Sequence, residues 1–549
     1  MTVAENTGHG LVRHGGRKLS DYFVFNTDHK VIGIQYLVLT FFFFIVGGIL
    51  AELIRAELAR PGTQFVSGSA YNQLFTIHGT IMIFLWIIPA FAGLANFVIP
   101  LQLGANDMAF PRLNALAFWL LIPGAILLLT SFWVGGAESG WTSYAPLSLQ
   151  TGNGQTIWAI ALQFIGFSSI FGAINFMVTI FNMRAPGMTL LRLPLFAWAI
   201  IATSIIIILG TPVLSAALAM LALSRILGTN FFSASAGGDP LMWQNLFWFY
   251  SHPAVYIMIL PGFGIISEVL PVFSRKPIFG YRLIVFSSLA IGIFGFLVWA
   301  HHMFVSGMDP FLRVPFMITS MVIAVPTGVK IFSWLATIWG GKLRFTPSMM
   351  FALGFISLFV VGGLSGIFLA SVPIDIHVED TYFVVAHLHY VLFGGSVMAL
   401  YAGLYYWYPK ITGRMLSERL GQWHFWLTFI GFNLCFLPMH QLGLAGMPRR
   451  VADYDPQFAA LNMVATLGAF LLAISTVPFL VNALMSLKIG KVAGPNPWRA
   501  LGLEWTVSSP PPVHNFPVPP VVDSDPYGYG EQPIPPSQPL PSPGVTGGE

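Results

Sequence analysis

Runs of about twenty apolar residues recur along the chain, separated by Gly, Pro and small clusters of charge. Twelve segments are long enough to cross a bilayer as helices: 31–54, 74–101, 113–135, 155–182, 194–224, 244–272, 281–305, 312–339, 348–370, 384–408, 421–442 and 458–487. The pattern predicts an all-α integral membrane protein, a bundle of twelve transmembrane helices spanning 31–487. A basic tail, 1–30, precedes the bundle. A segment, 488–549, follows it and becomes crowded with Pro, Gly and Ser from 507, which predicts a disordered or surface-hugging arm. The first thirty residues contain no apolar stretch of the signal-peptide kind, so no cleavable leader is expected.

Composition removes the soluble alternative. Only 8% of the 549 residues are charged and 56% are hydrophobic, against roughly 25% charged in a soluble domain. A mean hydropathy of +0.75 over the whole chain requires many spans rather than one anchor. An even number of spans puts both termini on one side. Of the 25 Lys and Arg residues, 18 fall in the tails and loops on that side, so the positive-inside rule makes both termini cytoplasmic. The single cysteine, Cys435, excludes an internal disulfide and any cysteine-ligated cluster.

Ionisable side chains within spans are costly and therefore mark function. Six histidines lie in or at the ends of spans: His78, His252, His301, His302, His387 and His389. Neutral imidazoles gathered at similar depth suit haem iron and copper. His387 and His389 stand about 200° apart around a helix, so one helix can serve two metal centres. His252 and Tyr256 share a face, and the adjacent His301 and His302 can converge with His252 on one ion if the sixth and seventh spans touch. Lys330 and Thr327 share a face deep in the eighth span.

The strings WFYSHPAVY (248–256), VWAHHMF (298–304), HVEDTYFVVAHLHY (377–390), FTIHGTIMIF (75–84) and AGMPRR (445–450) resemble the signature segments of subunit I of the haem-copper oxidases. The resemblance covers about residues 25–510, with all twelve spans in order. It implies the catalytic subunit of a proton-pumping terminal respiratory oxidase that reduces O2 to water. His78 and His389 would be the axial ligands of low-spin haem a, and His387 the axial ligand of high-spin haem a3. His252, His301 and His302 would hold copper (CuB), and Tyr256 would match the tyrosine joined to the copper histidine. Arg449 and Arg450 match residues that pair with haem propionates, and Arg55 one that contacts the formyl group of haem a.

The same resemblance places Asp107, Asn96 and Asn114 at the start of one proton pathway, and Ser267, Lys330 and Thr327 along a second one leading to Tyr256. Where many relatives carry a relay glutamate, this chain has Ala254, and the resemblance transfers the relay to Tyr250 and Ser251. Relatives commonly bind Mg2+ through a His-Asp pair that is Glu379-Asp380 here, which carboxylate chemistry allows to hold Mg2+ or Mn2+.

Two other readings remain at this stage. A twelve-span secondary transporter also carries intramembrane His and Lys, but offers no reason for the His-His and His-x-His pairs. A quinol oxidase of the same family would have His, Arg and Asp where this chain has Ala70, Phe43 and Gly47, so the resemblance favours cytochrome c or another soluble donor. With one cysteine the chain cannot build a dinuclear copper centre. A separate subunit II must carry that centre, accompanied by subunit III and small subunits. The remaining partners are O2 and membrane lipid, with no nucleic acid, in a bacterial plasma membrane or a cyanobacterial thylakoid.

Overall fold

A backbone that crosses a bilayer must satisfy its own hydrogen bonds, and the chain does so with helices throughout. The computed structural model describes residues 18–529. Among these residues it contains no strand, only two isolated bridges, Thr381 with Pro448 and Arg414 with Val492. Twelve helices are long and apolar enough to span: His29–Glu57, Gly68–Leu103, Pro111–Val134, Gly154–Asn182, Leu195–Leu227, Pro240–Ser274, Tyr281–Met303, Pro310–Ile338, Pro347–Ala370, Tyr382–Thr412, Glu418–Leu444 and Pro456–Ile489.

Short polar side chains start many of them. Asp28, Ser67, Asp239, Asp309, Thr346, Thr381 and Ser417 each accept a backbone N–H from the first turn. The second span begins six residues before its expected start at 74, because the first turn, with Ser69, Asn72 and Gln73, is too polar to register as apolar.

Burial sorts the spans. The second and sixth are enclosed, with 83% and 89% of their most apolar windows buried, and the tenth follows at 61%; the other nine range from 22% to 50% and turn a face to lipid. The three enclosed helices carry His78, then His252 with Tyr256, then His387 with His389. The polar chemistry therefore sits where lipid is excluded, and the lipid-facing helices supply the wall.

Three departures from straight α-helix were not expected from the sequence. Residues Met82–Ile87 and Leu392–Val397 are wide π turns, beginning four residues after His78 and three after His389. Such turns concentrate at functional sites because they re-aim a side chain. The seventh span, expected to be helical over 281–305, is α-helical only to Phe294 and continues as tight 3-10 turns over Gly295–Leu297 and Trp299–Met303. At Gly295 an added Cβ would lie 3.0 Å from the Tyr256 ring, so a larger residue there would push the ring aside.

After the last span the chain runs across one end of the bundle as a strap. Lys410 Nζ donates to the carbonyls of Pro495, Val507 and Ser508. Asn515 reaches the head of the first span, Val522 N–H donates to Pro186, and the Tyr527 hydroxyl donates to Glu268 while accepting from Leu195 N–H. Of the two fates expected for 507–549, the described part is thus surface-hugging. Residues 1–17, with Arg13 and Arg17, and 530–549 lie outside the described residues. The start of the first span and the strap meet, so both described ends share one side.

Candidate metal and haem centre

One cavity of about 940 Å3 runs through the bundle, and all six histidines and Tyr256 line it. Its walls are mostly apolar. Added Cβ atoms at Gly48, Gly328 and Gly363, all on this lining, would meet nothing within 4 Å, so the cavity is open at flat helix faces. Slots of this form suit large planar groups edged by polar substituents.

The imidazoles are held by their second nitrogen. His78 Nδ1 donates to the Gly47 carbonyl (2.8 Å), His389 Nδ1 to that of Val385 (2.8 Å) and His387 Nδ1 to that of Gly362 (3.0 Å). Because a carbonyl only accepts, each Nδ1 carries the proton and each Nε2 keeps a free lone pair, the state a metal requires. His389 stacks on Phe436 in the eleventh span, with centroids 4.1 Å apart and planes 12° from parallel. On the other side of the same helix, His387 lies against the ninth span at Gly366, where an added Cβ would be 2.9 Å from its Cε1.

The second cluster comprises His252, His301 and His302. Among the described residues it is the one group of three or more His, Cys, Asp or Glu whose ligand atoms converge, all within 4.8 Å of one another. His252 Nδ1 and His302 Nε2 are 3.2 Å apart. Two imidazole lone pairs facing each other repel unless a cation or proton lies between them. Ligands at about 2.0 Å in a tetrahedral array are themselves separated by roughly 3.3 Å. His301 and His302 are neighbours on the 3-10 turn Trp299–Met303, and their ring centres lie 4.3 Å apart, so both imidazoles reach the same ion position. His301 Nδ1 donates to Ser320 Oγ (2.8 Å), which itself donates to Phe316 O, and His302 stacks on Trp248 at 3.7 Å. The Tyr256 ring centre is 5.0 Å from that of His252, and His387 lines the same cavity as all three histidines.

Arg449 and Arg450 line the same cavity. Arg449 donates to Asp380 Oδ1 through both Nε and Nη2 and lies 3.7 Å from Glu379, while Arg450 reaches Thr142 Oγ1. Burial and the charge of Arg449 lower the proton affinity of Arg450, to a pKa of about 10. The expected Glu379-Asp380 pair is thus divided in structure: Asp380 is exposed and paired with Arg449, while Glu379 is directed inward beside Asp375. Burial first, and then the Glu379 carboxylate, push the Asp375 carboxyl well above its ordinary range. Asp375 was not singled out from the sequence, because a lone aspartate between spans has no spacing signal. Arg55 gives its Nη2 to Asn462 and Thr466 and keeps Nε and Nη1 buried without a partner.

The polar groups expected along proton routes are placed as follows. Lys330 Nζ donates to Ile284 O (3.0 Å) and Ser288 Oγ (2.6 Å), both on the seventh span. Ser267 Oγ accepts from the Trp334 indole (3.0 Å). Thr327 donates back to Ile323 within its own helix and lines the same cavity as Tyr256. Asn96 donates to Ala92 O, whereas both side-chain polar atoms of Asn114 are buried without a protein partner. Asp107 accepts from the next backbone N–H, and burial lifts its pKa to about 6. Tyr250 packs on Gly210, next to the buried, unpartnered Thr211 hydroxyl, and Ser251 Oγ is also unpartnered. Sequence reasoning missed Ser288, Thr211, Ser320, Trp248 and Gly366, residues whose types are unremarkable until the fold sets them beside a histidine, a lysine or a tyrosine.

Residues 31–471 match the family model described as cytochrome c and quinol oxidase polypeptide I. The chain belongs to this family. As a family member it is the catalytic subunit of a terminal respiratory oxidase, an oxidoreductase that uses haem and copper within a multi-subunit membrane complex. The transporter reading falls. The oxidase subunit is 60% identical to cytochrome c oxidase subunit 1 of Synechocystis sp., with 96% of each chain covered. It is 58% identical to the corresponding subunit of Thermostichus vulcanus, with 93% of each covered. A solved haem-copper terminal oxidase dimer shares the fold, with a TM-score of 0.75 over 85% of each chain at 19% identity.

Proposed function

We propose that this oxidase subunit takes electrons that originate on cytochrome c, or a similar soluble donor, and reduces O2 to water at a site built from a high-spin haem a3 and CuB. The observation that carries this reading is the convergence of His252, His301 and His302 beside Tyr256, in the cavity that His387 enters from the opposite helix. When bound, haem iron and copper supply the coordination positions and most of the electrons for breaking the O–O bond.

The protein's own groups do the rest. His78 and His389 would hold low-spin haem a, and His387 the high-spin haem. His252, His301 and His302 would hold copper, leaving one coordination position open. The Tyr256 phenol is placed to give a proton and an electron beside the copper histidine. Arg449 and Arg450 would neutralise propionates, since guanidinium matches carboxylate geometry. The free Nε and Nη1 of Arg55 are suited to a formyl oxygen on haem a. Asp107, Asn96 and Asn114, then Tyr250 and Ser251, are assigned to one proton route. Ser267, Lys330 and Thr327, with Ser288, are assigned to another ending at Tyr256. Protons enter from the cytoplasm, the side on which the positive-inside rule places both termini, in a bacterial plasma or thylakoid membrane.

A soluble donor is supported at the position where quinol-oxidising relatives would carry an aspartate. Gly47 offers its carbonyl to His78, and an added Cβ there would lie 3.0 Å from Met82. A separate subunit II would carry the dinuclear copper centre, with subunit III and small subunits completing the complex. Glu379 and Asp380 would bind Mg2+ or Mn2+ only with further ligands from water or another subunit, because a hard cation needs about six oxygens and Arg449 already engages Asp380.

The deciding measurement is a reduced-minus-oxidised spectrum of the purified complex before and after CO, with pyridine haemochromes and a copper assay. Two A-type haems per chain, only one of them binding CO, are expected. A preparation with no haem, or with both haems binding CO, overturns the ligand assignment. Gly366→Ala gives a finer test: the new methyl displaces His387, so the CO-binding haem shifts or is lost while the other keeps its spectrum. Equal disturbance of both haems would contradict the placement of His387.

A further inference from the structure

The innermost side chain of the strap is Asn515, fully buried and in the left-handed conformation at φ 54°. Its Nδ2 donates to the carbonyls of Ala105 (2.8 Å) and Asn106 (3.2 Å), and lies 2.9 Å from His29 Nε2. Its Oδ1 accepts from Lys30 Nζ at 2.7 Å. His29 is itself fixed, with Nδ1 donating to Asn96 O at 2.7 Å, so its Nε2 is an acceptor. One amide therefore ties the head of the first span to the loop after the second. The next residue in that loop is Asp107. At the start of the loop Gly104 is left-handed, and an added Cβ would lie 2.7 Å from Pro520 of the strap, a second close contact between the same two segments.

We propose that Asn515 is a positioning residue for proton uptake: by fixing the Ala105 and Asn106 carbonyls against His29 and Lys30, it holds the Asp107 carboxyl at the mouth of its pathway. The inference rests on the reading of Asp107 as the proton acceptor there. Nothing in the sequence joins these segments, since 408 residues separate Asn515 from Asp107.

The charged groups acting on the aspartate are Asp28 and Lys30 at the head of the first span, and the His29 backbone N–H donates to its carboxylate. The fourth span faces the loop with neutral Asn175 and Thr179, and its Arg184 turns back onto its own carbonyls. Burial raises the affinity of Asp107 for a proton, Asp28 adds to this and Lys30 opposes it. Releasing the loop lets water reach the carboxylate, so its pKa falls toward the ordinary value.

The test uses the assembled oxidase with Asn515→Ala, Asp107→Asn and the double variant, measuring turnover against pH with haem content as the check on assembly. In Asn515→Ala, turnover falls about tenfold through misplacement of the acceptor. The limb of the pH profile that follows Asp107 moves to lower pH by about one unit. In the Asp107→Asn background the same change has no further effect, because its only route of action is gone. Should the alanine variant not assemble, Asn515→Asp keeps the side-chain volume and the Lys30 contact while removing the Nδ2 donors, and the rate carries the test: its loss vanishes in the Asp107→Asn background if Asn515 acts through Asp107 and persists there if it does not. If Asp107→Asn is slow but Asn515→Ala matches the parent in rate and pH profile, or if the two losses multiply, the positioning role is wrong while the pathway stands. If Asp107→Asn itself turns over normally, the pathway reading fails and this inference with it.

Discussion

Replacing His302 by alanine lowers O2 reduction by more than about a hundredfold and removes copper, while the spectrum of the low-spin haem remains. Residues that merely orient a metal ligand are worth about ten- to a hundredfold, and a ligand itself is worth more. His302 is held by the 3.7 Å stack on Trp248 and faces His252 Nδ1 across 3.2 Å. Its removal leaves two imidazoles, too few for the three-histidine copper site. The proposed low-spin pair is unaffected because His78 and His389, on the second and tenth spans, are held by other carbonyls, those of Gly47 on the first span and Val385 on the tenth. Copper assay, CO recombination and steady-state O2 consumption on one preparation decide the matter. Stoichiometric copper with unchanged CO kinetics would remove His302 from the site.

Lys330→Met slows turnover on the order of a hundredfold, the range expected when a positioned proton donor is lost, without destabilising the fold. Lys330 is almost fully buried, with its ammonium hydrogen-bonded, among the described residues, to Ile284 O and Ser288 Oγ. A buried charge bears a large desolvation cost, and an apolar side chain of similar volume removes it. The variant therefore assembles with both haems, and the deficit lies in proton delivery toward Tyr256. Stopped-flow reduction locates it: the low-spin haem reduces at the parental rate and the CO-binding haem slowly. Parental rates for both, or slow reduction of both, would refute the assignment. Ser288→Ala reproduces a smaller part of the effect, since the Ile284 carbonyl still holds the ammonium.

Much of the fold was legible because lipid makes a strict demand. Each span had to be long, apolar and helical, so twelve runs could be counted, and boundaries failed only where polar turns such as Gly68–Gln73 cap a helix. The six histidines stood out for the same reason, being costly residues in apolar runs. The 3-10 ending of the seventh span was hidden, since Gly295–Met303 carries no proline or turn cluster to stop a helix and differs only in how it packs. The contact of the Ser267 hydroxyl with the Trp334 indole was also hidden, because helical register between different spans cannot be read from either one alone.

By itself, then, the sequence determined the membrane class, the number of spans and the family, and it singled out the histidines proposed here as metal ligands, all properties of local residue pattern. The tertiary structure decided which nitrogens are free, through carbonyls contributed by other turns and helices. It divided Glu379 from Asp380 and brought in Asp375. It also laid the strap so that Asn515 meets Lys30 across 485 residues. Such contacts depend on where separate helices and loops come to rest against each other, and that is set by packing of the whole bundle rather than by the spacing of residues along the chain.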